Sequence, residues 1–186
     1  MPGRKNAVFF DKDGTIIKDV PYNVDKSKII FDDHLFSSLH LIQKMNFLLI
    51  IVSNQPGIAK GEYTSDDVNE VGSYLMQQLH EKGIVLNGFY YCPHQASSGK
   101  QLECFCHKPR EGLLLQASLD HSIDLRQSWM IGDILDDVEA GNRAGCRTIF
   151  INNGNETEWK MNRLREPEFY ADSLLAAAFY IQQNRR

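Results

Sequence analysis

Short apolar runs alternate with amphipathic stretches along the chain. Ala7–Phe10 is an apolar, β-prone run that stops abruptly at Asp11-Lys12-Asp13-Gly14-Thr15. Phe47–Val52 reads as a second, fully buried strand and ends in Ser53 and Asn54. "NGFYYCPH" predicts a third strand cut off by Pro93, "SWMIGD" a fourth ending at Gly132 and Asp133, and "CRTIFIN" a fifth. Between them, "HLFSSLHLIQKM" has helical spacing, and Thr64 or Ser65 can cap a helix running to about Lys82. "GLLLQASLDH" follows the stop at Pro109, an amphipathic helix after Asp133 ends at Gly145, and "DSLLAAAFYIQQN" closes the chain. The remaining stretches are loops. "IIKDVPYNVDKSKIIFDDH" is long and polar, carries Asp19, Pro21 and Tyr22, and closes with a short "KIIF" strand; "QPGIAKGEYTSDDV" is a glycine-bearing loop. A long loop beside a strand's carboxyl end is expected to wall a substrate site.

Strands alternating with helices at this pitch predict an α/β fold, a Rossmann-like parallel sheet with helices on both faces. The expectation is a single domain over residues 1–186, without internal repeat or separate cap domain, and with one inserted metal loop at about 92–106.

Composition narrows the function classes. A net charge of −4 gives no footprint for nucleic acid, so none is expected as a partner. No apolar run approaches the roughly 20 residues of a membrane span, and "MPGRKN" enters the first strand without a signal-peptide core. A cytoplasmic protein is therefore expected; composition leaves its oligomeric state open, and a monomer is the working expectation. Cys92, Cys104 and Cys106 cluster with His94, which in a reducing compartment points to metal before disulfide. In extended chain an i, i+2 pair points both side chains one way, and two such pairs complete a closed tetrahedron for structural Zn²⁺. Cys146 reads as a small core residue.

Three of the strands end in chemistry-bearing residues: Asp11 and Asp13, Ser53 and Asn54, Gly132 and Asp133. Parallel strands put these ends on one rim, where open α/β sheets bind ligands. Paired acids ask for a hard cation such as Mg²⁺, hydroxyl and amide groups suit an anion, and Lys108 before Pro109 supplies fixed positive charge. Together these groups suit phosphoryl transfer, where catalysis is mainly positioning and charge neutralisation.

The order D-x-D-G-T, S-N-Q, K-P, G-D-x-x-x-D resembles the haloacid dehalogenase (HAD) superfamily of aspartate-nucleophile phosphatases, over nearly the whole chain. The resemblance implies Asp11 as nucleophile and Asp13 as general acid and base. It also implies Mg²⁺ held by Asp11, the Asp13 carbonyl and Asp133, with Asp137 acting through water or Lys108. Ser53, the Asn54 amide and Lys108 are the implied phosphoryl-binding groups, with Gln55 among the substrate-binding residues. C-P-H, C-x-C and K-P resemble one branch, the D-glycero-D-manno-heptose 1,7-bisphosphate phosphatases and their histidinol-phosphate phosphatase relatives. Asp19 and Tyr22 stand where the heptose enzymes carry a substrate loop, and the spacer between His94 and Cys104 exceeds the compact loop of histidinol-phosphate enzymes. His107 occupies a position usually held by arginine; with Arg110 it is a candidate for contacts remote from the reacting phosphate. The first expectation is removal of the C7 phosphate of a heptose bisphosphate, towards nucleotide-activated heptose for polysaccharide. Histidinol-phosphate phosphatase is the alternative. A polynucleotide 3′-phosphatase and a non-catalytic zinc-stabilised interaction protein follow.

Overall fold

A computed structural model describes residues 4–95 and 104–185. Six strands form one parallel sheet: β1 (Ala7–Phe10), β2 (Leu48–Asn54), β3 (Leu86–Cys92), β4 (Trp129–Gly132), β5 (Arg147–Ile151) and β6 (Phe169–Ala171). Their order is β3-β2-β1-β4-β5-β6, so the chain reverses direction across the sheet at β1 and β4. Such a reversal opens a crevice at the carboxyl ends of the two central strands.

Alternation along β1 explains why the sheet is covered on both sides. Val8 and Phe10 pack with Leu39 of α1 (Leu35–Lys44), Leu75 of α3 (Ser65–Glu81) and Ala177 of α6 (Leu174–Asn184). Ala7 and Phe9 face Leu114 of α4 (Gly112–His121) and Ala140 of α5 (Leu135–Ala144). Strands buried on both faces read as continuous apolar runs, which made them conspicuous in the sequence. Cys146 lies in the second of these cores, as expected. Among the described residues there is no separate cap, and no helix is long and apolar enough to cross a membrane.

Three expectations need correction. "KIIF" is not a strand: Lys26–Lys28 forms a 3-10 turn capped by the Asp25 side chain, and only Phe31 bridges Ile17. Lys18 N–H to Ile30 O and Asp32 N–H to Ile16 O tie the two ends of the loop to each other, leaving it no long edge on which to build a ladder. The "QPGIAKGEYTSDDV" loop contains a short helix, α2 (Gly57–Lys60), closed by Gly61 at φ 74°. The edge strand β6 was not anticipated, because three residues are too few for an apolar pattern to register. The α3 boundary was legible: Thr64 and Asp67 form a reciprocal capping box.

Candidate active site

The rim of the sheet is built as the sequence implied, around a buried lysine. Asp11 is the first residue after β1, and its N–H donates to Ile131 O of β4 at 2.9 Å, fixing where its carboxyl group begins. Lys108 is only 1% exposed. Its Nζ pairs with Asp11, lies 2.7 Å from Asp137 Oδ1, and donates to Val52 O at 3.0 Å. The lysine is delivered by Asn54, whose side chain clamps its backbone. Asn54 Nδ2 donates to Lys108 O at 3.0 Å, and Lys108 N–H donates to Asn54 Oδ1 at 2.9 Å. Residue spacing gave no hint of this clamp, because the partners are 54 positions apart.

Asp137 is fully buried on α5 beneath the rim. Gly132 is required here, because a Cβ at that position would collide with the Asp137 carboxylate. Asp133 follows β4 and takes hydrogen bonds from Thr15 Oγ1 at 3.2 Å and Asn155 Nδ2 at 2.7 Å. Asp13 points away from this cluster: Lys12 Nζ lies 2.6 Å from its Oδ1, and Gln55 Nε2 donates to its Oδ2 at 3.2 Å. Gln55 also donates to Ser53 Oγ at 2.8 Å and accepts from Tyr63 at 2.8 Å, so one side chain orients both the Ser53 hydroxyl and the Asp13 carboxylate.

Three carboxylates and one ammonium carry a net charge of −2 in a buried space. Burial, reinforced by the Asp11 charge, pushes Asp133 up to about 6. Burial pushes Asp137 up to about 8; its Lys108 partner opposes this, while Asp11 and Asp133 add to it. Burial alone would lower Lys108, yet Asp11 and Asp137 raise it overall, so the lysine stays charged. The direction we hold to is that Lys108 is cationic and that Asp133 and Asp137 hold extra protons until a cation neutralises them. Asp13 is raised, chiefly by burial. Ligand oxygens of Asp11, Asp133 and Asp137 lie within 4.8 Å of one another. A hard divalent cation fits both this oxygen set and the excess charge.

A second cluster lies at the end of β3, where Cys92, His94, Cys104 and Cys106 bring their ligand atoms within 4.8 Å. Cys92 Sγ stands 3.6 Å from Cys104 Sγ, 3.2 Å from Cys106 Sγ and 3.5 Å from His94 Nδ1. Three soft sulfurs and one imidazole at these separations fit a closed tetrahedral Zn²⁺ site. The middle of the anticipated 92–106 loop, residues 96–103, lies outside the described residues.

Asp19 and Tyr22 line a cleft of about 250 Å³ together with Lys12, Asp13, Asn54 and Gln55, so the long loop does wall the site. Tyr22 holds φ 54°, and Lys60 stacks over its ring at 4.7 Å. His107 and Arg110 are not brought to the carboxylate cluster. His107 Nδ1 donates to His94 O at 3.0 Å and lies 3.6 Å from Cys92 Sγ; burial lowers its pKa. Arg110 Nη1 donates to Cys104 O at 2.9 Å. Both therefore engage the cysteine loop that leads into Lys108. Sequence reasoning passed over Lys12, Thr15, Tyr63, Asn153 and Asn155. For the two asparagines a signal existed: "NNGN" directly follows β5, on the same rim as the motifs.

Comparison with known proteins extends these observations. A family model described as HAD-hydrolase-like matches residues 105–177. The D-glycero-beta-D-manno-heptose-1,7-bisphosphate 7-phosphatase of Pasteurella multocida is 35% identical over 153 residues, 81% of this chain and 83% of that protein. The enzyme of the same name from Haemophilus influenzae is 38% identical over 138 residues, 73% of this chain and 74% of its own. The crystal structure of D,D-heptose 1,7-bisphosphate phosphatase from B. bronchiseptica, complexed with magnesium and phosphate, superposes with a TM-score of 0.82. It covers 96% of this chain and 98% of its own at 24% identity, a likeness of fold.

Proposed function

This chain belongs to the D-glycero-beta-D-manno-heptose-1,7-bisphosphate 7-phosphatase family of HAD-like hydrolases, and from that premise we infer that it removes the C7 phosphate of such a heptose bisphosphate. The observation that carries the reading is identity of 35% across 81% of the chain. The step belongs to the making of nucleotide-activated heptose for surface polysaccharide.

The residues of the rim supply a two-step displacement. The Asp11 carboxylate attacks phosphorus, the bond to the sugar C7 oxygen breaks, and an aspartyl phosphate forms. Asp13 delivers a proton to the leaving oxygen. Its burial-raised pKa suits that task, and Lys12 and Gln55 hold the carboxyl group in place. The Asp13 carboxylate then takes a proton from water, which attacks the acyl phosphate and releases inorganic phosphate while regenerating Asp11. Lys108, Ser53 and Asn54 meet the phosphoryl oxygens, with Lys108 carrying the positive charge. Mg²⁺ would be held by Asp11, the Asp13 carbonyl and Asp133, and when bound it neutralises charge on the transferring group. Asp137 holds Lys108. Zn²⁺ in the Cys92, His94, Cys104, Cys106 set has no open position and serves the fold.

Asp19 and Tyr22 stand at the sugar's side of the cleft, and an open bowl of this size suits a small, polar sugar phosphate. The reading is of a monomer in the cytoplasm, a reducing setting that keeps the three thiols available for metal.

A phosphate-release comparison tests the assignment. With Mg²⁺ present, heptose 1,7-bisphosphate is expected to give a higher kcat/KM than histidinol phosphate or a 3′-phosphorylated oligonucleotide. Preference for histidinol phosphate would replace the heptose reading.

A further inference from the structure

The loop leaving β5 carries Asn152-Asn153-Gly154-Asn155-Glu156, a polar run for which the phosphatase chemistry has no use so far. It begins at the carboxyl end of a strand adjacent to β4, and it turns back over the rim. Asn155 Nδ2 donates to Asp133 Oδ2 at 2.7 Å. Asn153 Nδ2 donates to Gly14 O at 2.7 Å and stands 3.4 Å from the same Asp133 oxygen. Asn153 Oδ1 in turn accepts the Asn155 N–H at 3.1 Å, so the position of one amide sets that of the other. One residue further on, Glu156 Oε2 accepts the Leu135 N–H at 2.7 Å, at the start of the helix that carries Asp137.

Asn153, Asn155 and Glu156 thus touch the carboxylate after β4, the turn after β1 and the first turn of α5. The fit is close. Gly14, at φ 85°, has no room for a Cβ, which would strike both the Asp133 carboxylate and the Asn155 amide. Both asparagines are exposed on their outer sides, where they border an open cleft with Asp19 and Asp32. Water is therefore available to them, so burial does not force their amides onto Asp133.

We propose that Asn153 and Asn155 are positioning residues for the divalent cation: they hold the Asp133 carboxylate facing Asp11 and thereby set metal affinity. A carboxylate that is to bind a cation pays less on binding if its rotamer is already fixed, and donors outside the ligand set commonly govern affinity by roughly 10–100-fold. Thr15 Oγ1 supports the other Asp133 oxygen, so the asparagines supply the half of the cradle that comes from outside the recognised motifs.

The inference rests on Asp133 being a metal ligand, and the experiment separates the two claims. Mn²⁺ binding to zinc-loaded protein is titrated by electron paramagnetic resonance, beside melting temperature and steady-state kinetics at saturating metal. Asn153→Ala and Asn155→Ala are expected to weaken Mn²⁺ binding by about tenfold. KM for the sugar phosphate at saturating metal should stay near wild type. Asn155→Gln, which keeps an amide donor, should recover much of the affinity, and Asn152→Ala, one residue before the contacts, should leave it unchanged. Wild-type Mn²⁺ affinity in both alanine variants would overturn the proposal, as would an equal loss in Asn152→Ala. Undiminished binding in Asp133→Asn would instead remove the metal assignment on which it stands.

Discussion

Lys108 is the residue on which the site's electrostatics depend. A buried ammonium between Asp11 and Asp137 is stable only because both carboxylates face it, and neither carboxylate tolerates its loss. Lys108→Met is expected to lower kcat by about 10²–10³-fold, the usual effect of deleting one preorganised charge donor at a developing oxyanion. Near-wild-type turnover in that variant would remove Lys108 from the reaction. Asn54→Ala leaves every charged group in place but opens the clamp on the lysine's backbone. A displacement of an ångström suffices to cost on the order of 10²-fold, so kcat should fall steeply while the melting temperature changes little. Unchanged kcat would mean that the clamp is dispensable. At this scale the sequence was informative wherever chemistry dictates residue type. Asp11, Ser53, Lys108 and Asp133 announce themselves by standing at strand ends or before a proline. The Asn54 clamp did not, since an asparagine at a strand end is ordinary until its partner is known. The place of His107 and Arg110 beside Lys108 in sequence says nothing about direction; the contacts seen are with the cysteine loop, away from the carboxylate cluster.

Among the elements, the strand β3 and the cysteine loop that follows it lead directly into Lys108. Cys92 ends β3, Cys106 lies two residues before Lys108, and His107 ties the two halves through His94 O. Cys104→Ser is expected to lose Zn²⁺, read by elemental analysis of reduced protein, and to lower both melting temperature and activity, because a structural zinc site contributes folding free energy directly. Full activity in a zinc-free variant would uncouple the loop from Lys108. Element boundaries were readable where burial imposes a period or a cap: the β1, β2 and β4 runs, the Thr64 cap and the Gly145 stop. They were unreadable where an element is too short for its period to repeat. Four residues of α2 and three of β6 owe their form to neighbours, namely the Tyr63 ring packed close upon Gly57 and the β5 edge that pairs Phe150 with Tyr170.

At the scale of the molecule, the sheet's reversal between β1 and β4 concentrates three acids at one crevice, and the fold bears the cost until a cation arrives. Asp133 and Asp137, raised to about 6 and about 8 from an ordinary 3.8, bind protons in the folded state that the unfolded chain has released. Stability therefore falls as pH rises through the window from about 4 to about 8. Lys108, raised above its ordinary 10.5, stays charged throughout that window and contributes no slope. Zinc-loaded protein without Mg²⁺ should melt at progressively lower temperature from pH 5 to pH 8, and saturating Mg²⁺ should flatten the trend. A melting temperature that rises over this range without Mg²⁺ would contradict the charge balance described for the site. Family membership and rim chemistry meet in a single claim, that Asp11 takes the phosphoryl group from the sugar's C7 oxygen. Phosphorus NMR of heptose 1,7-bisphosphate during turnover tests this most directly. The C7 phosphate resonance should disappear as inorganic phosphate grows while the C1 phosphate persists, and Asp11→Asn should leave both resonances intact. Loss of the C1 phosphate first, or undiminished turnover by Asp11→Asn, would contradict it.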